Sequence, residues 1–289
     1  MSLVLRWLSH SLVWFYAVLL AAPLYYLISA SFKDNNQIFL RPFHLPQREI
    51  FVTRPGNYRE FEPLGFQNYS EAWGDVFLGQ ALINSFVVTV GALIVTLALC
   101  IPASYALARS SGRVVRAMER YFSVGLLIPG FAALVPAVLL AIELGLFQTR
   151  LFLVLAYPAG ALPLSIILLT QFMRTIPREL EESAVVDGAG QFDILWRIYV
   201  PLARPGIATV TILNVLGFWN EFLYALVITG INRNVRTIQV AIPNLVVQGT
   251  TEFGVLAAGT VISIIPVYVM YVLMQRRMES ALTEGAVKG

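Results

Sequence analysis

Apolar residues fill this chain in long blocks, and the charged positions gather between them. No Asp, Glu, Lys or Arg lies between positions 6 and 33, 75 and 109, 120 and 143, 150 and 174, or 252 and 276. A sixth block, 204–233, is interrupted by Glu221 alone. Each is long enough for the roughly 20 residues of helix that cross hydrocarbon. The pattern predicts an all-α integral membrane chain of six transmembrane helices, near residues 8–30, 81–108, 121–142, 151–173, 206–229 and 253–274. Gly91, Pro102, Pro129, Gly130, Pro136, Pro158, Gly160, Pro163, Gly217, Gly259 and Pro266 fall inside spans two to six. Bent helices around a pathway fit them, and so does ordinary membrane packing, where such residues are common. Residues 31–80 carry Pro42, Pro46, Pro55 and Pro63, which predicts a small irregular outer cap with short helices near 68–73. No repeat or low-complexity linker divides the chain, so 1–289 is expected to form a single domain.

The longest polar interruption of the second half is 181–205, within the loop 174–205. Pro177 suits the first turn of a helix, and Glu179, Glu181 and Glu182 favour the positive end of its dipole. Gly188 and Gly190 break that helix cheaply. Phe192, Leu195, Trp196 and Tyr199 then repeat at helical spacing as one apolar stripe, which Pro201 is expected to stop before Pro205. Two short helices and a bend, held between membrane spans, need a surface for that stripe. Lipid headgroups and a second protein both qualify.

Composition agrees with a lipid-solvated chain: 57% of the 289 residues are hydrophobic and 13% charged, where soluble domains carry about 25% charged residues. The net charge of +3 is unevenly spread. Arg109, Arg113, Arg116 and Arg120 follow span two, Arg174, Arg178, Arg197 and Arg204 follow span four, and Arg276 and Arg277 follow span six. The positive-inside rule puts these segments and both termini in the cytoplasm. The basic residues report topology, and no nucleic-acid partner is expected. Cys100, in mid-span, has no partner for an intramolecular disulfide. The first apolar run is too long for a cleavable leader despite Ser29-Ala30-Ser31, so it reads as an uncleaved span.

His10 and His44 lie near no cysteine or paired carboxylate, so neither metal-ligand spacing nor an activated nucleophile is present, and no catalytic or metal residue is expected. No phosphate-cradling glycine loop occurs. Glu221 is the one Asp, Glu, Lys or Arg inside a span; with Asn214, Trp219 and Asn220 it is a candidate for the translocation path, and helix–helix contact or helix capping beside Asn220 is the plainer alternative. An ion-coupled carrier would need titratable groups at mid-membrane, and a membrane enzyme a nucleophile or metal cluster.

The run Glu182-Ser183-Ala184, then Gly188, then Ile198 and Pro201, resembles the EAA motif of inner-membrane permease subunits of binding-protein-dependent ABC importers. Ser183 stands where the motif has alanine, and Val200 where it has leucine. Gly217-Phe218-Trp219-Asn220-Glu221-Phe222 and the tail Leu282-Thr283-Glu284-Gly285-Ala286-Val287-Lys288-Gly289 are similar to the carbohydrate branch, and specifically to its maltose-type G subunits, apart from Glu284.

The resemblance implies a type I importer permease fold in a bacterial or archaeal plasma (inner) membrane. Loop 174–205 would be the coupling segment that docks on a cytoplasmic ATPase, with Glu182, Ser183, Ala184, Asp187, Gly188, Phe192, Trp196, Ile198 and Pro201 as its contact residues. Glu182 and Asp187 supply charge, Ala184 and Gly188 allow close approach, and 192–199 supplies an apolar anchor. Glu284, Gly285 and Lys288 in the tail would touch the ATPase, and Pro243 and Asn244 in loop 230–251 the binding protein. The implied partners are a second, different permease subunit, two ATP-binding subunits, an extracytoplasmic solute-binding protein, lipid and a sugar. The chain itself is expected to hold no cofactor, with ATP and Mg bound by the ATPase. A polyol or phosphorylated polyol is the alternative solute.

Overall fold

The structure is a computed structural model that describes residues 3–46, 66–74, 77–230, 232–245 and 252–286. Its helices are α1 (Leu3–Ala30), α2 (Asn35–Leu40), α3 (Phe66–Gly74), α4 (Leu78–Arg109), α5 (Arg113–Gly125), α6 (Leu134–Glu143), α7 (Arg150–Arg174), α8 (Glu179–Val186), α9 (Gln191–Ile194), α10 (Val200–Leu202), α11 (Arg204–Trp219), α12 (Leu223–Thr229), α13 (Ile238–Ala241) and α14 (Phe253–Ala286). A π-helical turn, Leu195–Tyr199, joins α9 to α10, and single 3-10 turns cover Gly130–Ala133 and Pro243–Leu245. No strand occurs among the described residues. Four helices are long and apolar enough to cross a membrane, and six spans result if each of two bent pairs counts as one.

The expected third span is one of those bent pairs. Arg113–Gly125 and Gly130–Glu143 meet at 94°. Pro129 contributes no N–H, and a helix rarely continues through the residue before a proline. The expected fifth span is also interrupted: α11 ends at Trp219 and α12 begins at Leu223. α14 extends past the expected end of span six through Ala286, so Glu284 and Gly285 lie in helical backbone, while Lys288 falls outside the described residues.

The chain parts into two compact units, residues 1–79 with 240–266, and residues 80–239 with 267–289. In the first, Asp34 caps α2 by accepting from the Gln37 N–H at 2.8 Å. The short helix expected near 68–73 is α3, whose Asn68 amide donates to the carbonyls of Ser31 and Lys33, both at 3.0 Å. Lys33 is 2% exposed and donates to the carbonyls of Arg41 and Pro42. Burial holds its ammonium below the usual lysine range. Phe253 closes on this cap, its N–H donating to Asn35 Oδ1 and its ring meeting Phe39 edge-on at 5.1 Å.

The second unit packs α4, α7 and α11 around Cys100, Ile101, Leu107, Ile166, Leu169, Met173 and Val210. Lipid offers no hydrophobic reward for helix association, so close approach and interhelical hydrogen bonds hold such a core. Gly206 shows the closeness: a Cβ there would lie 2.5 Å from Cγ of Phe172 on α7. Asn214 adds the hydrogen bond, donating to Ser165 Oγ at 2.9 Å.

Candidate functional site

The segment 174–205 folds as expected into two short helical limbs and a bend, and the bend is a Schellman motif. Gly188 sits at φ +83°, the Gly188 N–H donates to Val185 O at 3.0 Å, and the Ala189 N–H donates to Ala184 O at 2.9 Å. Those two bonds satisfy carbonyls that the end of α8 would leave open. They also explain the glycine, because left-handed backbone costs a residue with a Cβ roughly 1–2 kcal/mol. Ala184 and Ala189 pack against the core at the root of the bend.

Beyond the bend the helix does not stop at Pro201. It widens into the π turn, where the Val200 N–H reaches back to Leu195 O. A proline ring collides with the carbonyl four residues earlier and supplies no N–H; the wider turn makes room for it, as single π turns inside helices do.

The expected apolar stripe divides. Leu195 and Tyr199 are buried in this chain's own core with Ile194. Phe192 and Trp196 remain 74% and 44% exposed, their rings 6.0 Å apart. An anchor for another molecule is therefore limited to Phe192 and Trp196, not the whole run 192–199. Glu182, Ser183, Asp187 and Gly188 are exposed, and Ile198 and Pro201 half-buried. Asp187, Gly188, Ala189, Asp193, Ile194, Arg197 and Ile198 line a shallow cleft of ≈ 270 Å³ between the limbs, with Asp193 and Arg197 paired at 3.1 Å.

What fastens this hairpin is a cluster whose members the sequence leaves apart: Arg109 as a topology marker, Glu181 as a dipole partner and Tyr199 in the apolar stripe. Glu181 accepts from Tyr199 Oη at 2.9 Å and from Tyr105 Oη at 3.3 Å. Arg109 Nε lies 3.3 Å from Glu181 Oε2 without hydrogen-bond alignment. The guanidinium also stacks over the Tyr199 ring at 4.5 Å and donates to Ile176 O at 2.7 Å. Burial, and then the Glu181 carboxylate, pushes the Tyr199 phenol above its ordinary range, so Tyr199 donates at any physiological pH. The available signal was slight: Tyr105 and Arg109 share a helix face, and Glu181 adjoins the motif glutamate.

The pathway candidates separate. Asn214 and Trp219 are buried, and Asn214 spends its amide on Ser165 and Val210 O. Asn220 is exposed at the break of the fifth span; it donates to Leu216 O and accepts from Gln239. Glu221 accepts from the N–H groups of Tyr224 and Ala225 at 2.8 and 3.0 Å and from Tyr157 Oη at 2.9 Å. It caps α12, the plainer of its two expected roles. Tyr224 Oη in turn donates to Gly130 O at 3.1 Å, tying this break to the bend of the third span. Irregular backbone at membrane depth is tolerated where it is buried in protein or lines a water-filled cavity.

Pro243 and Asn244 form the 3-10 turn Pro243–Leu245, and Asn244 donates to Val240 O. Residues 246–251 of that loop lie outside the described residues. The limb before them is held by Asn84, 0% exposed, which donates to Asn234 O and Arg236 O, each at 2.9 Å, and accepts from Arg150 and Gln80. Ser85 Oγ accepts from the Ile238 N–H at 2.7 Å.

Residues 98–284 match the family described as binding-protein-dependent transport system inner membrane component. The diacetylchitobiose uptake system permease protein NgcG of Streptomyces coelicolor is 33% identical, over 97% of this chain and 88% of its own length. The trehalose transport system permease protein SugB of Mycobacterium tuberculosis is 36% identical, over 78% of this chain and 82% of its own. Among solved structures, a bacterial ABC transporter involved in the import of the acidic polysaccharide alginate superposes with a TM-score of 0.73 at 22% identity, covering 94% of this chain and 96% of that one.

Proposed function

The chain belongs to the inner membrane components of binding-protein-dependent transport systems, and from that membership we propose how it works as the permease subunit of an ATP-driven sugar importer. It is a multi-pass inner-membrane protein, and its sugar-importing relatives point to a sugar or oligosaccharide brought by an extracytoplasmic binding protein. A second, different permease subunit completes the pathway. Two separate ATP-binding subunits hydrolyse ATP in the cytoplasm and hold the nucleotide and Mg. Both termini and the segment 174–205 face them, a reading the arginine distribution supports.

The observation that carries this reading is the hairpin itself: a helix pair with a capped bend, an exposed Phe192–Trp196 edge, exposed Glu182 and Asp187, and a root fastened to α4. An amphipathic pair resting on anionic headgroups would carry a basic excess on its polar face. Here Arg178 and Arg197 are exposed, but five acidic residues stand against four arginines across 174–204, Glu179, Glu181 and Glu182 fill the first turn of α8, and Arg197 is paired with Asp193. Docked ATPases closing on ATP displace the hairpin, and the permease passes between outward- and inward-open states because the ATPase binds those states unequally. The tail near Glu284, Gly285 and Lys288 adds contacts on the ATPase side, and Pro243 and Asn244 face the binding protein.

The test is reconstitution of the co-purified complex in proteoliposomes with a panel of sugars and candidate binding proteins. Sugar-loaded binding protein is expected to stimulate ATP hydrolysis and drive uptake. Uptake that persists without any ATPase subunit, and stops when the proton gradient is dissipated, overturns the assignment in favour of a secondary carrier.

A further inference from the structure

Helix α4 carries a polar clamp at each end, and each clamp holds a different docking element. Near its outer end, Asn84 and Ser85 bind the backbone of 234–238 through three hydrogen bonds of 2.7 to 2.9 Å. Both side chains are almost fully buried, at 0% and 2% exposure. This backbone leads into the loop placed above toward the binding protein. At its inner end, Tyr105 and Arg109 hold both limbs of the hairpin, α8 through Glu181 and the π turn through Tyr199. The two clamps are separated by continuous helix, about 38 Å at 1.5 Å per residue. Pro102 does not interrupt it, and Ser104 Oγ pins it to Ile166 O of α7 beside that proline.

A helix so fastened moves as one body. A phenol and a guanidinium at one end of α4 meet the Glu181 carboxylate and the Tyr199 ring of the hairpin, and an amide with a serine at the other end bind the backbone of 234–238, so each docking element is tied to α4.

We propose that α4 is the transmission rod of the transporter: Asn84 and Ser85 engage the binding-protein loop, Tyr105 and Arg109 engage the coupling hairpin through Glu181 and Tyr199, and the occupancy of one face is reported to the other along this helix. They act as positioning residues, through the elements they hold. The inference rests on the importer reading above. What opposes it is a purely structural role, in which the two clamps stabilise their own neighbourhoods and know nothing of each other.

The experiment is a double-mutant cycle in the reconstituted complex, read as the fold-stimulation of ATP hydrolysis by sugar-loaded binding protein and as ATP consumed per sugar imported. Glu181→Gln and Asn84→Ala are each expected to cut the stimulation by between about 5-fold and about 150-fold, the range of coupling between two sites, while unstimulated hydrolysis by the assembled complex persists. The double variant is expected to be no worse than the more severe single one, because both cut one line. Independent effects that multiply, as for distant sites sharing no partner, overturn the proposal, and so does unchanged stimulation in either assembled single variant. Should either variant fail to assemble, Tyr199→Phe and Ser85→Ala decide it, since each deletes one hydroxyl and keeps the fold's apolar contacts. If the unmodified complex is stimulated by no sugar-loaded binding protein, the importer reading itself fails, which is a different result from either of these.

Discussion

Gly188 serves two roles that one substitution series separates. Its φ of +83° closes the bend after α8, and a Cβ built there meets nothing within 4 Å of this chain. The cost of a side chain inside the permease is therefore conformational and blind to size. Alanine and leucine should each lose roughly 1–2 kcal/mol, the price of left-handed backbone, or about 5- to 30-fold in the population of the closed bend. Asparagine tolerates that region and should lose much less. A partner seated on the bend changes the order, because bulk then enters a packed surface and overpacking costs about 1–3 kcal/mol. Thermal unfolding of the solubilised permease should rank glycine and asparagine above alanine and leucine. Titration with purified ATPase subunit should place alanine above asparagine and leucine, once each is corrected for its unfolding loss. If leucine and alanine bind the ATPase equally, nothing approaches Gly188, and its place in the docking surface is refuted.

Phe192→Ala and Trp196→Ala should weaken ATPase binding by more than about 1 kcal/mol each; Phe192→Ala, at a ring 74% exposed, should leave the unfolding midpoint unmoved and Trp196→Ala, at one 44% exposed, should lower it only slightly, whereas Leu195→Ala, in the core beside them, should lower it by the equivalent of about 2–5 kcal/mol. The reverse pattern would show that the stripe divides elsewhere. Gly206→Ala should force α11 away from Phe172 and lower thermal stability in nanodiscs by about 1–3 kcal/mol, and an unshifted midpoint would mean that the two helices do not approach so closely. Glu221→Gln keeps shape but leaves one acceptor for the N–H groups of Tyr224 and Ala225 and the Tyr157 hydroxyl, so α12 should open at a cost of about 1–3 kcal/mol, seen as faster amide exchange at 224 and 225.

Membrane class, the approximate spans, the hairpin and its glycine bend were legible from the chain because they depend on local quantities. Uncharged stretches of sufficient length must leave water, and arginine placement sets orientation. Glycine where α8 ends provides the one cheap left-handed cap. Three features needed the third dimension. Whether Leu195 and Tyr199 face inward while Phe192 and Trp196 face out depends on a π turn that Pro201 imposes and that helical periodicity does not anticipate. At the breaks near 126–129 and 220–222, Glu221 caps α12 locally, but the Tyr157 hydroxyl of α7 that holds Glu221 and the Tyr224 hydroxyl that satisfies Gly130 O come from helices the sequence does not place beside them. Arg109 and Glu181 stand 72 positions apart; sequence assigns each a local role, in topology and in a helix dipole, and only packing of α4 against the hairpin makes them one contact. Free energies that depend on a single segment can be read along it, whereas a charge pair, a close helix crossing or a shared carbonyl exists only once distant segments have met.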